Sequence, residues 1–104
     1  MIRQFDVIPN PVRVGQADRP YVINLQHDYF DTNGRRVLAP LVVPGALKLH
    51  PRLNPMFVVR GQQLFFMPND LFTLSVRNLP RPIANLEAER DRIIAALDLV
   101  FTGV

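Results

Sequence analysis

The pair His27-Asp28 contains the residue types in this sequence that are best suited to acid–base chemistry. A catalytic histidine needs a nucleophile or a second base within hydrogen-bonding reach, and no motif in the sequence places one there. Ser75 is the one serine of the chain and has no base near it in sequence. We therefore predict no catalytic group and interpret His27 as a half-exposed histidine.

The sequence also lacks the patterns of a metal or cofactor site. His50 stands beside Pro51 without a second ligand at metal-site spacing. There is no cysteine, which excludes disulfides and thiolate chemistry. No glycine-rich loop that could hold a phosphate is present. These observations predict a binding protein with no metal and no cofactor, rather than an enzyme.

Arginine dominates the positive charge of the chain. The formal net charge is +3, and eleven of the twelve basic residues are arginine. Arginine forms forked contacts with carboxylates and phosphates. The arginines are scattered, with Arg35-Arg36 the only adjacent pair. Nucleic-acid binding favours a denser patch with aromatic side chains between the charges. We therefore expect a mildly basic surface that does not bind DNA alone.

A strong turn signal, Asp31-Thr32-Asn33-Gly34, separates two apolar runs at 21–30 and 37–43. Aspartate can bond to the backbone two residues on, and Asn-Gly readily adopts positive φ. The pattern predicts a β-hairpin whose return strand begins with the two arginines.

The stretch Asp31-Thr32-x-Gly34-Arg35-Arg36, continued by Pro40-Leu41, resembles the signature of the CcdB family. These proteins are gyrase poisons of bacterial toxin–antitoxin operons. The last residues, Phe101-Thr102-Gly103-Val104, are similar to the Phe-Trp-Gly-Ile ending typical of the family. The resemblance spans the whole chain, with small insertions near residues 9–20.

The resemblance implies a homodimer that enters the central cavity of the gyrase A subunit dimer and holds gyrase in its covalent DNA-cleaved state. It also implies a CcdA-like antitoxin, disordered when free, with operator DNA bound only in its presence. The implied gyrase-binding residues are Tyr29, Phe30, Asp98, Leu99, Thr102, Gly103 and Val104. The implied antitoxin-binding residues are Pro9, Asn10, Val12, Arg13, Leu47 and Leu49.

Two other functions fit a chain of this kind. MazF-type endoribonucleases share the fold, and an RNA-cleaving site could recruit His27, Asp28 and arginines around the scissile phosphate. However, the sequence lacks the Arg-Gly-Asp-type opening common in MazF-like chains. The second alternative is an interaction domain of the same fold that has lost toxin activity.

Alternating apolar residues predict several strands. We expect strands at 1–8, 21–28 and 37–43, a hairpin at 56–59 and 63–67, and a strand at 71–76. Residues 9–20 form a loop, and 46–49 form a short strand or one helical turn. Pro40 implies a sheet edge or a bulge. Tyr29 and Phe30 point to opposite faces of a strand, so one of them should be exposed.

One helix is predicted at 86–101, with Asn85 as its N-cap. Its apolar stripe consists of Leu86, Ile93, Leu97, Val100 and Phe101. Leu99 lies off that stripe, and Gly103 could adopt the left-handed conformation that ends the helix.

The chain is therefore of the α+β class, with mostly antiparallel strands and one C-terminal helix. The resemblance implies a small SH3-like barrel or curved sheet with a short side wing of strands. A length of 104 residues predicts one domain, 1–104. The sequence shows neither a signal peptide nor a membrane-spanning run, so we expect a cytoplasmic protein.

Overall fold

The computed structural model describes residues 2–30 and 33–104. It shows a curved antiparallel sheet, nearly closed into a barrel, with one helix near the end of the chain. The strands are β1 (Asp6–Pro9), β2 (Tyr21–Asn24), β3 (Arg35–Val42), β4 (Met56–Val59), β5 (Gln62–Phe66), β6 (Phe72–Ser75) and β7 (Ala84–Asn85), and the helix is α1 (Arg90–Thr102). Short 3-10 turns lie at Pro68–Asp70, Val76–Asn78 and Glu87–Glu89. The predicted α+β class and small antiparallel barrel are confirmed.

Strand β3 is the centre of the sheet. The order is β4-β5-β3-β2-β1-β7, and β6 pairs with β3 as a side branch. The first half of β3 pairs with β6 and its last residues pair with β5.

None of the described helices is long and apolar enough to cross a bilayer.

Pro40 lies inside this central strand, where β3 changes partner. The Pro40 carbonyl accepts a hydrogen bond of 3.1 Å from the Met67 N–H, so the backbone of Pro40 faces the β5–β6 side. The β6 pairing ends at Leu38 and the β5 pairing begins at Leu41. Proline is tolerated there because the ladder needs no N–H at the gap. The sequence predicted a sheet edge or a bulge at Pro40. The structure instead shows the point at which β3 stops pairing with β6 and starts pairing with β5.

The first strand starts later than the pattern predicted, because the chain begins with a turn. The Asp6 N–H donates to the Arg3 carbonyl at 3.0 Å, and Phe5 has a φ of 67°. The Phe5 carbonyl accepts from the Leu86 N–H at 2.9 Å. This turn therefore attaches the start of the chain to the segment that enters the helix.

Strand β2 ends at Asn24, four residues earlier than predicted. The Asn24 side chain is fully buried, and its Nδ2 donates to the Arg3 carbonyl at 2.9 Å. Its Oδ1 accepts from the Gln26 N–H at 3.3 Å. Such side-chain bonds compete with the ladder, so the chain leaves the sheet after a last bond of 2.9 Å from the Leu25 N–H to the Val37 carbonyl of β3. Both Tyr29 and Phe30 are consequently exposed, instead of one of them.

Turn chemistry follows the sequence closely. Arg60 and Gly61 have φ values of 50° and 78°, as a two-residue hairpin turn between β4 and β5 requires. Asn33 and Gly34 both have a φ of 61°. The rest of that motif, Asp31 and Thr32, lies outside the described residues. Residues 46–49 form neither a strand nor a helical turn.

The sheet is covered on both faces, because two apolar clusters lie against it. The larger cluster packs sheet residues against the helix and contains Ile23, Leu41, Phe57, Phe66 and Ile93 among others. The smaller cluster contains Ile2, Ile8, Val22 and Leu38. Fully burying one such side chain contributes about 1.5–3 kcal/mol. Val22 and Ile23 belong to different clusters because neighbouring strand residues point to opposite faces.

The helical segment lies close to the predicted position, and the core includes Leu86, Ile93 and Leu97 of the predicted stripe but not Phe101. Asn85 Oδ1 accepts from the Glu87 N–H at 2.8 Å, but Asn85 is the last residue of β7, the first turn is 3-10, and the N-cap position of α1 is Glu89 instead of the predicted Asn85. Ile93 and Ala96 are fully buried, whereas Phe101 is 69% exposed. At about 100° per residue, Phe101 lies on the flank of a face centred between Ile93 and Ala96. The prediction of Phe101 as a core residue was wrong.

Candidate functional site

The helix ends in a closed cap. Gly103 has a φ of 77°, and its N–H donates to the Leu99 carbonyl at 2.9 Å. Thr102 Oγ1 donates to the Asp98 carbonyl at 2.7 Å and accepts from the Val104 N–H at 3.4 Å. The left-handed conformation predicted for Gly103 is confirmed, and the cap gives the last residues a defined conformation.

This end of the helix exposes apolar side chains to solvent. We name Asp98, Phe101, Thr102, Gly103 and Val104 the terminal face. Phe101 is 69% exposed and Val104 is 82% exposed. The Asp98 carboxylate is exposed and forms no ion pair with any described residue. The terminal face therefore offers a partner two apolar groups and one free negative charge.

Leu99 differs from the other predicted gyrase-binding residues, because it is half-buried rather than exposed. It lines a cleft with its helix neighbour Val100 and with Gly103. The opposite wall of the cleft contains His50, Arg52, Leu53 and Asn69. Leu99 is therefore partly covered by other residues of the same chain and only partly exposed to a partner.

Residues 25–30 form the second predicted contact region, which we name the aromatic loop. Tyr29 is 80% exposed and Phe30 is 58% exposed, with ring centroids 5.0 Å apart at 83°. The Phe30 N–H donates to the His27 carbonyl at 3.0 Å, and the Gln26 side-chain amide donates to the Phe30 carbonyl. These bonds hold the loop in a form that presents both rings.

His27 and Asp28 do not form a catalytic pair. His27 Nδ1 accepts from the Tyr29 N–H at 3.0 Å. Asp28 instead accepts from the Gln4 N–H at 2.7 Å and lies 3.7 Å from Arg3 Nε. The carboxylate is therefore directed at the N-terminal turn and does not orient the imidazole. Within residues 2–30 and 33–104, no cluster of three His, Cys, Asp or Glu side chains could hold a metal ion.

Within a single chain, the aromatic loop and the terminal face lie apart and do not form a common site. Asp28 lines a cavity with Glu87, at the start of the helical segment. Gly103 lies at the opposite end of a helix of 13 residues, which is roughly 20 Å long. The two predicted gyrase-binding groups share no cavity among the described residues.

Residues 10–20 form the loop expected to meet the antitoxin. Asn10 supports it from inside, since this side chain is only 8% exposed and its Nδ2 donates to the Arg19 carbonyl at 2.8 Å. Pro9, Val12 and Arg13 are exposed. Val14, which is 88% exposed, was not among the predicted contacts. A valine between Arg13 and Gly15, in a loop that contains proline and several polar residues, was the available signal.

The loop borders a groove of about 520 Å³, which we name the loop groove. An ion pair of 2.9 Å between Arg19 and Asp70 fastens the loop. Valine side chains of the loop form one wall, and the other residues of the lining include Pro40, Asn69, Leu71 and Phe72. The groove therefore combines apolar side chains with one ion pair and two asparagines.

Two further predicted antitoxin contacts lie in the segment that follows β3. The Val43 N–H donates to the Asp18 carbonyl at 2.9 Å, which joins this segment to the loop. Leu47 is 42% exposed and Leu49 is half-buried. Asn69 lines both the loop groove and the cleft beside Leu99. The loop groove and the end of the helix are therefore neighbouring surfaces.

A sequence model of the CcdB protein family matches residues 4–103. The chain belongs to the CcdB family. A search of the curated proteins finds no matching relative. Membership suggests a toxin of a toxin–antitoxin module, in a family of poisons or inhibitors rather than catalysts. The match includes the aromatic loop, the loop groove and all of the terminal face except Val104.

Proposed function

We propose that this CcdB-family chain is the toxin of a type II toxin–antitoxin module. It binds the gyrase A subunit, traps the gyrase–DNA cleavage complex and is neutralised by a CcdA-like antitoxin. The observation that carries this proposal is the family match over 4–103 together with an exposed apolar terminal face. A contiguous exposed apolar patch can mark a site at which a partner docks.

The terminal face differs from the common family pattern at two positions. Thr102 stands where the family has tryptophan, so a stacking contact with an arginine, about 1–2 kcal/mol, is absent. Asp98 stands where the family has asparagine. Because its carboxylate is exposed and unpaired, it can form a charge-assisted hydrogen bond with an arginine of gyrase. We infer that gyrase binding uses Phe101, Asp98 and Val104 more than the residue at 102.

Neutralisation would use the loop groove. Its walls contain Val12, Val14 and Phe72, and Leu47 and Leu49 lie on the segment joined to the loop. An antitoxin segment that is disordered when free must offset its ordering cost with a large contact area.

The protein acts in the cytoplasm, as one domain, and reaches operator DNA only together with the antitoxin.

The proposed toxin is a homodimer. Symmetric association would place two copies of the terminal face and of the aromatic loop on one particle, and it would cover part of the apolar surface. Light scattering at micromolar concentration should give about twice the chain mass of 11.9 kDa. A stable monomer at that concentration would contradict the proposed assembly.

The proposed activity is tested with purified gyrase A and B subunits and a supercoiled plasmid. Linear plasmid should accumulate, after the covalent complex is denatured and digested with protease, only when gyrase and the toxin are both present. Omission of gyrase is the control. Absence of linear DNA at a large excess of toxin would rule out poisoning.

The same preparation separates the poison from the alternatives. Total RNA incubated with the protein should stay intact, because His27 and Asp28 are not arranged as an acid–base pair. RNA cleavage that is lost in His27→Ala would assign the MazF-like activity. A protein with neither activity would be the interaction domain that has lost its toxin function.

A further inference from the structure

A cleft with arginine in its lining lies away from the terminal face, the aromatic loop and the loop groove. It is a cleft of about 340 Å³, which we name the arginine cleft. The residues that line it are Ile2, Arg36, Val76, Leu79, Pro80, Arg81 and Pro82. No aspartate or glutamate of the described chain lines it. The terminal face, the aromatic loop and the loop groove contribute none of these residues.

One wall of the cleft is a rigid segment. The Leu79 N–H donates to the Val76 carbonyl at 3.3 Å, and the Ile83 N–H donates to the Val7 carbonyl at 2.8 Å. Between these anchors, Arg81 stands between two prolines. Proline fixes its own φ and restricts the residue before it to extended conformations. The backbone of Arg81 is therefore ordered before a ligand binds, which lowers the entropic cost of binding.

The lining of the cleft joins side chains that are distant in sequence. Antiparallel pairing of β3 with β6 sets Arg35 opposite Ser75, and so brings Arg36 close to the segment after β6. The Arg36 side chain is buried and donates to the Arg35 carbonyl at 3.0 Å. Arg81 is exposed and forms no ion pair with any described residue. A planar guanidinium in this position is suited to a carboxylate.

The other side chains that line the cleft indicate which chemical groups, besides a carboxylate, a ligand would have. Apart from the two arginines, every lining residue is aliphatic or proline. Single-stranded nucleic acids bind by stacking their bases on aromatic side chains, and none lines this cleft. A volume of about 340 Å³ lies at the small end of ligand pockets and suits a few side chains rather than a large cofactor. These features favour a peptide over a nucleic acid.

We propose that the arginine cleft binds a peptide segment of a partner protein in which an aliphatic side chain stands beside carboxylates. The aliphatic group enters between Ile2, Leu79 and the prolines, and a neighbouring carboxylate pairs with Arg81. Charge complementarity identifies the partner as acidic at this contact. This binding does not require gyrase, because the cleft uses none of the residues of the terminal face.

The test uses fluorescence polarisation with a labelled peptide that has one leucine between glutamates. Two comparison peptides replace the glutamates by lysine, or the leucine by serine, and a labelled thymidine oligonucleotide is the fourth probe. Only the first peptide should bind in a saturable manner. Arg81→Glu should weaken its binding at least tenfold. Arg60→Glu makes the same charge change on the exposed β4–β5 turn and should leave the affinity unchanged.

Thermal melting of both variants verifies that they fold, as expected for exposed positions. Three results would overturn the proposal: no saturable peptide binding at millimolar concentration, equal weakening by Arg81→Glu and Arg60→Glu, or equal binding of the serine-containing peptide. Arg81-dependent binding of the oligonucleotide in preference to the peptide would also overturn it, and would assign the cleft to nucleic acid.

Discussion

Deletion of residues 102–104 is expected to abolish gyrase-dependent plasmid linearisation while the protein stays folded. All three residues are exposed, and their described hydrogen bonds are confined to the last turn of α1. Loss of this cap should reduce the free energy of unfolding by about 1 kcal/mol or less, as is usual for surface changes. If the terminal face is the part that contacts gyrase, the deletion removes three of its five residues, including the exposed Val104, without affecting the core.

The deletion is measured by thermal melting beside the linearisation assay. Val58→Ser, which changes an exposed apolar residue of β4, is the control and should retain full activity. Thr102→Trp, which adds the missing aromatic ring, should keep or raise the activity. Antitoxin binding should persist in the truncated protein, because Arg19 and Asp70 still fasten the loop. A truncated protein that melts normally and still traps cleaved DNA would place the active surface elsewhere.

Phe57→Ala is expected to cause the largest loss of stability, about 3–5 kcal/mol. Phe57 is 1% exposed, and its ring centroid lies 6.2 Å from that of Phe66. The Arg92 guanidinium lies 4.8 Å from the Phe57 ring centroid. Truncation would therefore leave a cavity between the sheet and the helix and remove a cation–π contact. A loss of this size is a large part of a typical total stability of about 5–15 kcal/mol.

The next residue along β4 provides the matched control. Val58 points to the other face of the strand and is 57% exposed. Val58→Ala should change the free energy of unfolding by only about 0.5 kcal/mol. Chemical denaturation of the wild type and both variants measures the difference. Similar losses in the two variants would show that β4 does not have the orientation described above.

Features that depend on a few neighbouring residues could be predicted from the sequence. The Arg60-Gly61 turn and the left-handed Gly103 are both set by local backbone preferences. The position of the helix followed from its apolar spacing. The family was suggested by residues 31–41 and 101–104, because these two short motifs can be recognised from the order of their residues alone. These local signals were sufficient for the fold class and for the proposed function.

Other features required contacts between distant parts of the chain. Strand β2 ends at Asn24 because that side chain reaches the Arg3 carbonyl, and Pro40 is accommodated because β3 changes partner beside it. The buried face of the helix depends on where the sheet lies, so periodicity alone placed Phe101 in the core, whereas it is exposed. The arginine cleft likewise could not be predicted, because the residues that line it are far apart in sequence. Arg36 and Arg81 line one surface only because β6 pairs with β3, and such pairing is decided by the packing of the whole sheet rather than by any local stretch.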